Sequence, residues 1–298
     1  MRRAFFKIWI SVVGIAVATS VAGCGGAPGA SSPSSPAVDP NVAFKQYEEA
    51  AKPFECSPLY GEMGDAAQVG DFDVMKDKAR KFRNVVVTWD AALAEIAFPA
   101  AAQPIVDGMR ELNASELAGL NALADVDGKD ADRTNIVRTQ VEVDDSSVTV
   151  EGDRLRAALG HPLPQGLVAA DQLEMAERTY WRDVAPVSAK WNAALAATDL
   201  NGAKAANAID EEATQRYIDK LGTIDWPPGT FEGQANTLRE HLRELIEFDR
   251  HQVDVATTAQ IVQAPEGGLP AMKAAVDAKE ALWLVLARFG QSVDPSKC

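Results

Sequence analysis

Several side chains that could bind a metal ion occur close together near the C-terminal end of the sequence: Glu240, His241, Glu244, Glu247 and His251. His241 and Glu244 share one face of a helix, but His251 follows His241 by ten residues and points about 80° away at 3.6 residues per turn. A metal site needs more converging ligands. We therefore interpret the cluster as a solvated helix face and expect no metal site; the alternative is a weak metal site.

Other arrangements of catalytic residues are missing from the sequence. A carboxylate di-iron centre in a helical bundle needs Glu-x-x-His on two helices, but Leu238 and Phe248 stand three residues before His241 and His251. No glycine-rich phosphate loop with Lys, dinucleotide fingerprint, nucleophile elbow or His-Glu-x-x-His occurs either. We expect no catalytic residues, no cofactor and no enzymatic activity. An enzyme site assembled from scattered carboxylates is a weaker alternative.

The thiol of Cys24 stands in the segment Val-Ala-Gly-Cys-Gly-Gly, directly after an apolar stretch. The chain begins with Arg2, Arg3 and Lys7, and residues 8–21 carry no charge. A charged start, a short apolar stretch and small residues are typical of an export signal. A spanning helix needs about 20 apolar residues, so we expect residues 1–23 to be a signal peptide that is removed.

The four residues Val21-Ala22-Gly23-Cys24 resemble the lipobox of bacterial lipoproteins. The resemblance implies cleavage by a signal peptidase of type II, a diacylglycerol thioether on Cys24 and palmitate-like acyl chains. Two acyl chains hold a protein stably on a membrane where one does not. We therefore expect lipidation of Cys24 and location at the extracytoplasmic face of the cell membrane; the alternative is an ordinary buried cysteine.

Residues 24–40 are rich in Gly, Ser and Pro and predict a flexible tether. Removal of residues 1–23 takes away three positive charges, so the formal net charge changes from -14 to -17. Nucleic acids need a basic surface. We expect no nucleic acid as a partner.

Cys56 and Cys298 remain once Cys24 is lipidated. Disulfides persist outside the cytoplasm. A bridge between Cys56 and Cys298 would join the C-terminus to the start of the folded region and close a very long loop. The alternative is two separate thiols.

The sequence also contains an internal repeat. An offset of 128 residues relates Trp89 to Tyr217, Leu93 to Leu221, Ile96 to Ile224, Phe98 to Trp226 and Pro99 to Pro227. An offset of 133 relates Tyr47 and Pro53 to Tyr180 and Pro186, and an insertion separates Cys56 from Gly70 in a predicted loop. We interpret the pattern as a duplicated helical unit, with chance matching among alanine-rich helices as the alternative.

Apolar residues at alternating steps of three and four predict helices in both copies. One such buried face contains Met75, Ala79, Phe82, Val86, Trp89 and Leu93. Residues 136–152 are β-branched and fit either two short strands or a helix; the repeat favours a helix. Polar Asn207 and Asp210 replace Ala79 and Phe82 in the second copy, and we expect them to face solvent.

The predicted fold is all-α, with two tandem antiparallel four-helix bundles over residues 41–165 and 166–298. The Gly-His-Pro-Leu-Pro segment at 160–164 separates them. Pro53 and Pro186 are expected to kink the first helix of each bundle.

The repeated signature of an aromatic residue, Leu, Ile and aromatic-Pro is similar to that of uncharacterised helical envelope lipoproteins of high-GC Gram-positive bacteria. The expected function is therefore a membrane-anchored binding or scaffold module for an envelope protein. The alternative is a carrier that holds a small or lipidic ligand within or between the bundles.

Overall fold

The computed structural model describes residues 38–127, 130–255, 273–282 and 284, and this part of the chain is helical with no strand. Its helices are α1 (Pro40–Glu55), α2 (Leu59–Val69), α3 (Phe72–Glu95), α4 (Gln103–Asp125), α5 (Ala131–Ala158), α6 (Gln165–Val184), α7 (Val187–Ala196), α8 (Leu200–Leu221) and α9 (Thr230–Val255). Residues 273–282 are also helical. The predicted all-α class is confirmed.

Aspartate side chains begin four of these helices. Each accepts a hydrogen bond from a backbone N–H near the start of its helix and so satisfies a group that has no partner within the helix. The capping residues are Asp39 of α1, Asp71 of α3, Asp130 of α5 and Asp199 of α8. Gly70 ends α2 at a φ of 76°, a left-handed conformation that glycine adopts without steric cost.

The first hydrophobic core lies among α1 to α5. Its largest side chains come from the predicted buried face of α3, where Met75, Phe82 and Trp89 are inaccessible or nearly so. Phe54 of α1 stacks on Phe82 with ring centroids 5.7 Å apart. The aromatic residues are therefore core, as the three- and four-residue spacing predicts.

Further apolar clusters follow from α6 onward. The larger one contains Leu173, Tyr217, Leu221 and Leu238, together with Leu282 of the helical segment 273–282. The residues of the first core extend only as far as Leu159, at the end of α5. The described apolar clusters before and after residues 160–164 thus share no residue, and α5 packs against both α4 and α6.

Residues 136–152 lie within α5, so the helical prediction is confirmed. Val141, Val148, Leu155 and Leu159 are buried toward the first core, as their spacing predicts. The predicted stops between helices are also observed, because α3 ends at Glu95 before Phe98-Pro99 and α8 ends at Leu221 before Trp226-Pro227.

Two local predictions are wrong. The region from Cys56 to Gly70 is not a loop, because Met63 and Ala66 bury one face of α2 against α3; residues 41–165 therefore contain five helices and not four. Pro186 does not kink one continuous helix but separates α6 from α7, since proline cannot donate the helical hydrogen bond. Pro53, by contrast, lies within the last turn of α1.

None of the described helices combines the length and the apolar character that crossing a membrane requires.

Candidate functional site

Buried polar groups concentrate on α5. Burying such groups costs free energy unless they are paired or neutralised, so they mark where the described molecule could do chemistry. The buried polar residues of this helix are Thr134, Thr139, Glu142, Asp144, Ser146, Asp153 and Arg156. Three serine and threonine hydroxyls among them, those of Thr134, Thr139 and Ser146, donate to backbone carbonyls of the preceding turn.

Carboxyl groups dominate the surface where α5 meets α6. We call this surface the α5–α6 junction and define it by six residues: Glu142, Asp145 and Asp153 of α5, and Asp171, Glu174 and Arg178 of α6. The two helices follow each other across residues 159–164 and pack together. The three- and four-residue spacing on each helix places these side chains on facing stripes.

Arg178 is the cation that links the two helices. Its Nη1 lies 3.2 Å from Oε2 of Glu142 on α5, and its Nη2 lies 3.3 Å from Oε1 of Glu174 on its own helix. Glu142 is also paired with Arg138 on α5. Glu142 is thus held by two guanidinium groups.

Asp153 and Asp171 form a carboxyl pair across the junction, with their side chains in hydrogen-bonding contact. Two carboxyl groups can share such a bond only when one of them carries the proton. Burial, the adjacent Asp153 and the hydrogen bond to it raise the pKa of Asp171 to about 8. Burial also raises the pKa of Asp153.

Asp145 lies between the carboxyl groups of Glu174 and Glu142. Burial and the negative charge of Glu174 raise its pKa to about 7, although the positive charge of Arg178 acts in the opposite direction. Tyr60 of α2 faces the same region, and its hydroxyl is buried without a hydrogen-bond partner in the described part of the chain. The junction thus has more carboxyl groups than cations to pair them.

A second polar cluster joins α5 to α1. Nε of Arg156 donates to Glu48 at 2.8 Å and Nη2 donates to Glu55 at 2.5 Å. The guanidinium also lies over the ring of Tyr47, 5.2 Å from its centroid. Nη1 of Arg156 is 3.6 Å from Oδ1 of Asp153, so this cluster is continuous with the α5–α6 junction.

Glu116 and Asn113 occupy the buried face of α4, between Met109 and Leu120. Both are fully inaccessible, and neither carboxyl oxygen of Glu116 receives a hydrogen bond from the described residues. Burial and the nearby charges of Asp145 and Asp144 raise the pKa of Glu116 well above its usual value. An acid in this position is neutral at physiological pH.

Holding and releasing protons is the chemistry that these groups support. Carboxyl groups of raised pKa change charge near neutrality, and here they lie between packed helices. Among the residues that the structure describes, no group of three or more His, Cys, Asp and Glu side chains is arranged to hold a metal ion.

The predicted histidine cluster is dispersed on α9. Nδ1 of His241 lies 3.0 Å from Oε2 of Glu244, so the two residues do share a face. Glu240 and Glu247 are exposed, in keeping with a solvated face. The side chain of His251 lies outside the described residues.

The cysteines of the predictions have different standings. Cys24 and Cys298 lie outside the described residues. Cys56 follows the last residue of α1, where its N–H bonds to the carbonyl of Lys52, and it is disulfide-bonded. The cysteine bonded to it lies outside the described part, so the pairing with Cys298 stays a prediction.

Asp210 does not face solvent, which corrects the expectation for the polar positions of α8. It is buried in line with Ala206 and Ala213, and Asn207 is partly buried and donates to Glu211. The expected rotation of α8 is absent because Ala203, Tyr217 and Leu221 fix the same face inward.

A groove of about 410 Å³ runs between α7 and α8. Its wall is formed mainly by small residues, including Ala194, Ala205 and Ala206, with Ile209 beside them. Lys190 and Asp199 supply its charged groups.

Sequence reasoning missed the α5–α6 junction. Attention to the apolar spacing of α5 hid a second stripe at residues 142, 145 and 153, and its counterpart at 171, 174 and 178. Both stripes step by three, four or multiples of these on either side of the predicted break at 160–164. Two such stripes joined by a short connection indicate a polar helical hairpin.

No protein-family model matches the chain, and neither a characterised protein nor a solved structure is significantly similar to it.

Proposed function

We propose that this chain is a lipoprotein of the cell envelope, anchored through Cys24, whose helical ectodomain is a non-enzymatic binding or scaffold module. The observation on which the proposal rests is the order of features at the start of the chain: Arg2, Arg3 and Lys7, an uncharged stretch, and Val21-Ala22-Gly23-Cys24. The envelope protein that it would bind is unassigned.

The packing of the polar groups supports binding in preference to catalysis. Arg156 and Arg178 spend their N–H groups on glutamates of the neighbouring helices. Asp153 and Glu116 are buried between helices rather than presented at a cleft. A catalytic acid must reach the proton that it transfers, and side chains enclosed in helix contacts serve the arrangement of the helices instead.

An internal duplication belongs to the same proposal. Asp71 and Asp199 are 128 residues apart, and each caps its helix by accepting from the N–H three residues later. Trp89 and Tyr217 are buried at equivalent positions of α3 and α8. The order of helices also agrees, because the short helices α2 and α7 precede the long helices α3 and α8. Two related units would offer two related surfaces for a partner.

Fractionation of cells that express the full chain or Cys24→Ala tests the anchor. We expect the wild-type chain in the membrane fraction and in the detergent phase of a two-phase extraction. Cys24→Ala should lose the detergent-phase partition, because the acyl chains supply the membrane affinity. Cys56→Ala is the matched control and should still partition into detergent. Equal partition of wild type and Cys24→Ala would refute the anchor.

Cross-linking of intact cells tests the binding role. A photoreactive residue at an exposed position of α9, such as Glu240, should yield a discrete cross-linked species with one envelope protein. A matched residue at Asp132 of α5 reports whether the capture depends on the surface chosen. Cross-linking to many proteins with equal yield from both positions would contradict a specific scaffold.

A carrier of a small or lipidic ligand is the second candidate, and the groove between α7 and α8 is the observation that favours it. Its size falls in the range of small-molecule sites. Ala206→Trp would fill the groove, whereas Lys204→Trp places the same side chain elsewhere on α8. Organic extraction of the purified full chain should release a ligand from wild type and Lys204→Trp only; an extract without ligand from wild type would end this candidate.

A further inference from the structure

The α5–α6 junction connects two sets of helices whose described apolar clusters are separate. The first cluster ends at Leu159 and the next begins at Ala169. What holds α5 to α6 is therefore largely polar. Polar interfaces between units of one chain are those that separate most readily.

The weakest point of this interface is the pair Asp153 and Asp171. Asp153 is 4% exposed, and in the described structure neither of its Oδ atoms accepts a hydrogen bond from an N–H or a hydroxyl group. Arg156 approaches to 3.6 Å only, since its other N–H groups are bound to Glu48 and Glu55. The neighbour left to Asp153 across the junction is another acid, Asp171.

We propose that Asp153 and Asp171 form a proton-dependent latch between α5 and α6. With one proton shared, the two carboxyl groups are joined by a hydrogen bond and the helices stay closed. When that proton passes to solvent, two carboxylates face each other in a buried site and repel. The α5–α6 junction then opens, while the first core remains folded.

Charged groups from every neighbouring helix act on this latch. Glu55 of α1 and Glu174 of α6 add negative charge, whereas Arg156 of α5 adds positive charge. Farther along the junction, Asp145 faces Glu174, Arg178 and Glu142. Tyr60 of α2 and Glu116 of α4 face this second region. Release of one proton therefore adds to an existing excess of negative charge.

The direction of the pH dependence follows from the raised pKa values. Asp171 titrates at about 8 and Asp145 at about 7 in the closed molecule, against about 4 in an open one. The closed form is therefore favoured in full below pH 4, and its advantage is lost as pH rises through 7 to 8. The latch would be shut in an acidic envelope and released in an alkaline one.

Hydrogen exchange of the full chain in detergent, followed by mass spectrometry between pH 6 and pH 9, tests the latch. Each rate is divided by the intrinsic rate at that pH, so that it reports the opening equilibrium. For peptides of α6 over residues 167–178, we expect opening to increase about tenfold or more per pH unit from pH 6 to 7 and to level off above about pH 8. A peptide of α3 over residues 82–93 should show no such rise.

Asp171→Asn keeps the shape of the side chain but needs no proton. We expect this variant to lose about a factor of ten per pH unit from the rise in α6, and Asp153→Asn to do the same. Asp77→Asn, on the exposed face of α3, should behave as wild type. A wild-type α6 without pH-dependent opening would overturn the proposal, as would an equal rise in α3, which indicates global unfolding.

Discussion

The guanidinium of Arg156 lies over the ring of Tyr47, 5.2 Å from its centroid, and at the same time donates to Glu48 and Glu55. One buried side chain of α5 thereby fixes three residues of α1. A cation enclosed in this way is stabilising only while its acidic neighbours remain.

Arg156→Met should lower the free energy of unfolding by about 2–3 kcal/mol, because it leaves Asp153 buried with no cation beside it. Arg154→Met, two residues away on the same helix, removes an exposed pair with Glu151 and should cost less than about 0.5 kcal/mol. Chemical denaturation at pH 7 measures both. Equal losses in the two variants would show that Arg156 contributes no more than a surface residue.

Gly119 marks the closest approach of α4 to α5. A Cβ at this position would lie 2.7 Å from Cγ2 of Val141, whereas a Cβ at Gly108 on the same helix meets nothing within 4 Å. Gly119→Ala should therefore destabilise the protein by about 1–3 kcal/mol. Gly108→Ala should stabilise it by about 0.5–1 kcal/mol, because alanine is the better helix former.

Restoring space should rescue the first of these variants. Adding Val141→Ala to Gly119→Ala removes the contacting methyl groups, so the double variant should lose less stability than the two single effects added together. Additive losses, measured by thermal and chemical denaturation, would contradict the close contact.

The Glu116 carboxyl group should limit stability at high pH. Its raised pKa means that the folded protein binds its proton more tightly than the unfolded chain, so the contribution to stability is lost as pH rises through the folded pKa. Glu116→Gln should therefore reduce the fall in melting temperature between pH 6 and pH 9. Glu111→Gln, an exposed neighbour on α4, should leave that fall unchanged, and identical curves for the two variants would contradict the assignment.

Cys56 should be paired with Cys298 in the mature protein. Nonreducing peptide mapping of material purified from membranes should give one linked peptide that contains both residues. Cys56→Ser and Cys298→Ser should lower the melting temperature by the same amount, since each removes the same constraint on the unfolded chain. A linked peptide that joins Cys56 to Cys24 would contradict both the pairing and the lipid anchor.

The helices were predictable from sequence because most of them obey a simple rule. In α3, apolar residues at steps of three and four coincide with the buried face from Met75 to Leu93. The aspartate caps and the Phe98-Pro99 and Trp226-Pro227 stops also mark helix ends in the sequence. The same reasoning placed residues 136–152 in a helix although their β-branched composition fits strands.

The polar site was not predictable by that rule because it depends on burial from two sides. α5 buries Val141 and Val148 toward the first core and Glu142 and Asp153 toward α6, so its sequence looks only weakly amphipathic. Composition alone likewise hid α2, in which Met63 and Ala66 are the buried residues. Whether a carboxyl group faces water or another helix is decided by tertiary packing.

The account depends most directly on the state of Cys24. The measurement is the intact mass of the full-length gene product extracted from its own membrane, before and after alkaline hydrolysis of ester-linked acyl chains. We predict a chain that begins at Cys24 and carries the added mass of a diacylglyceryl group, with the acyl part removed by hydrolysis. A chain that retains residues 1–23, or one that carries an unmodified Cys24 thiol, would contradict the anchor.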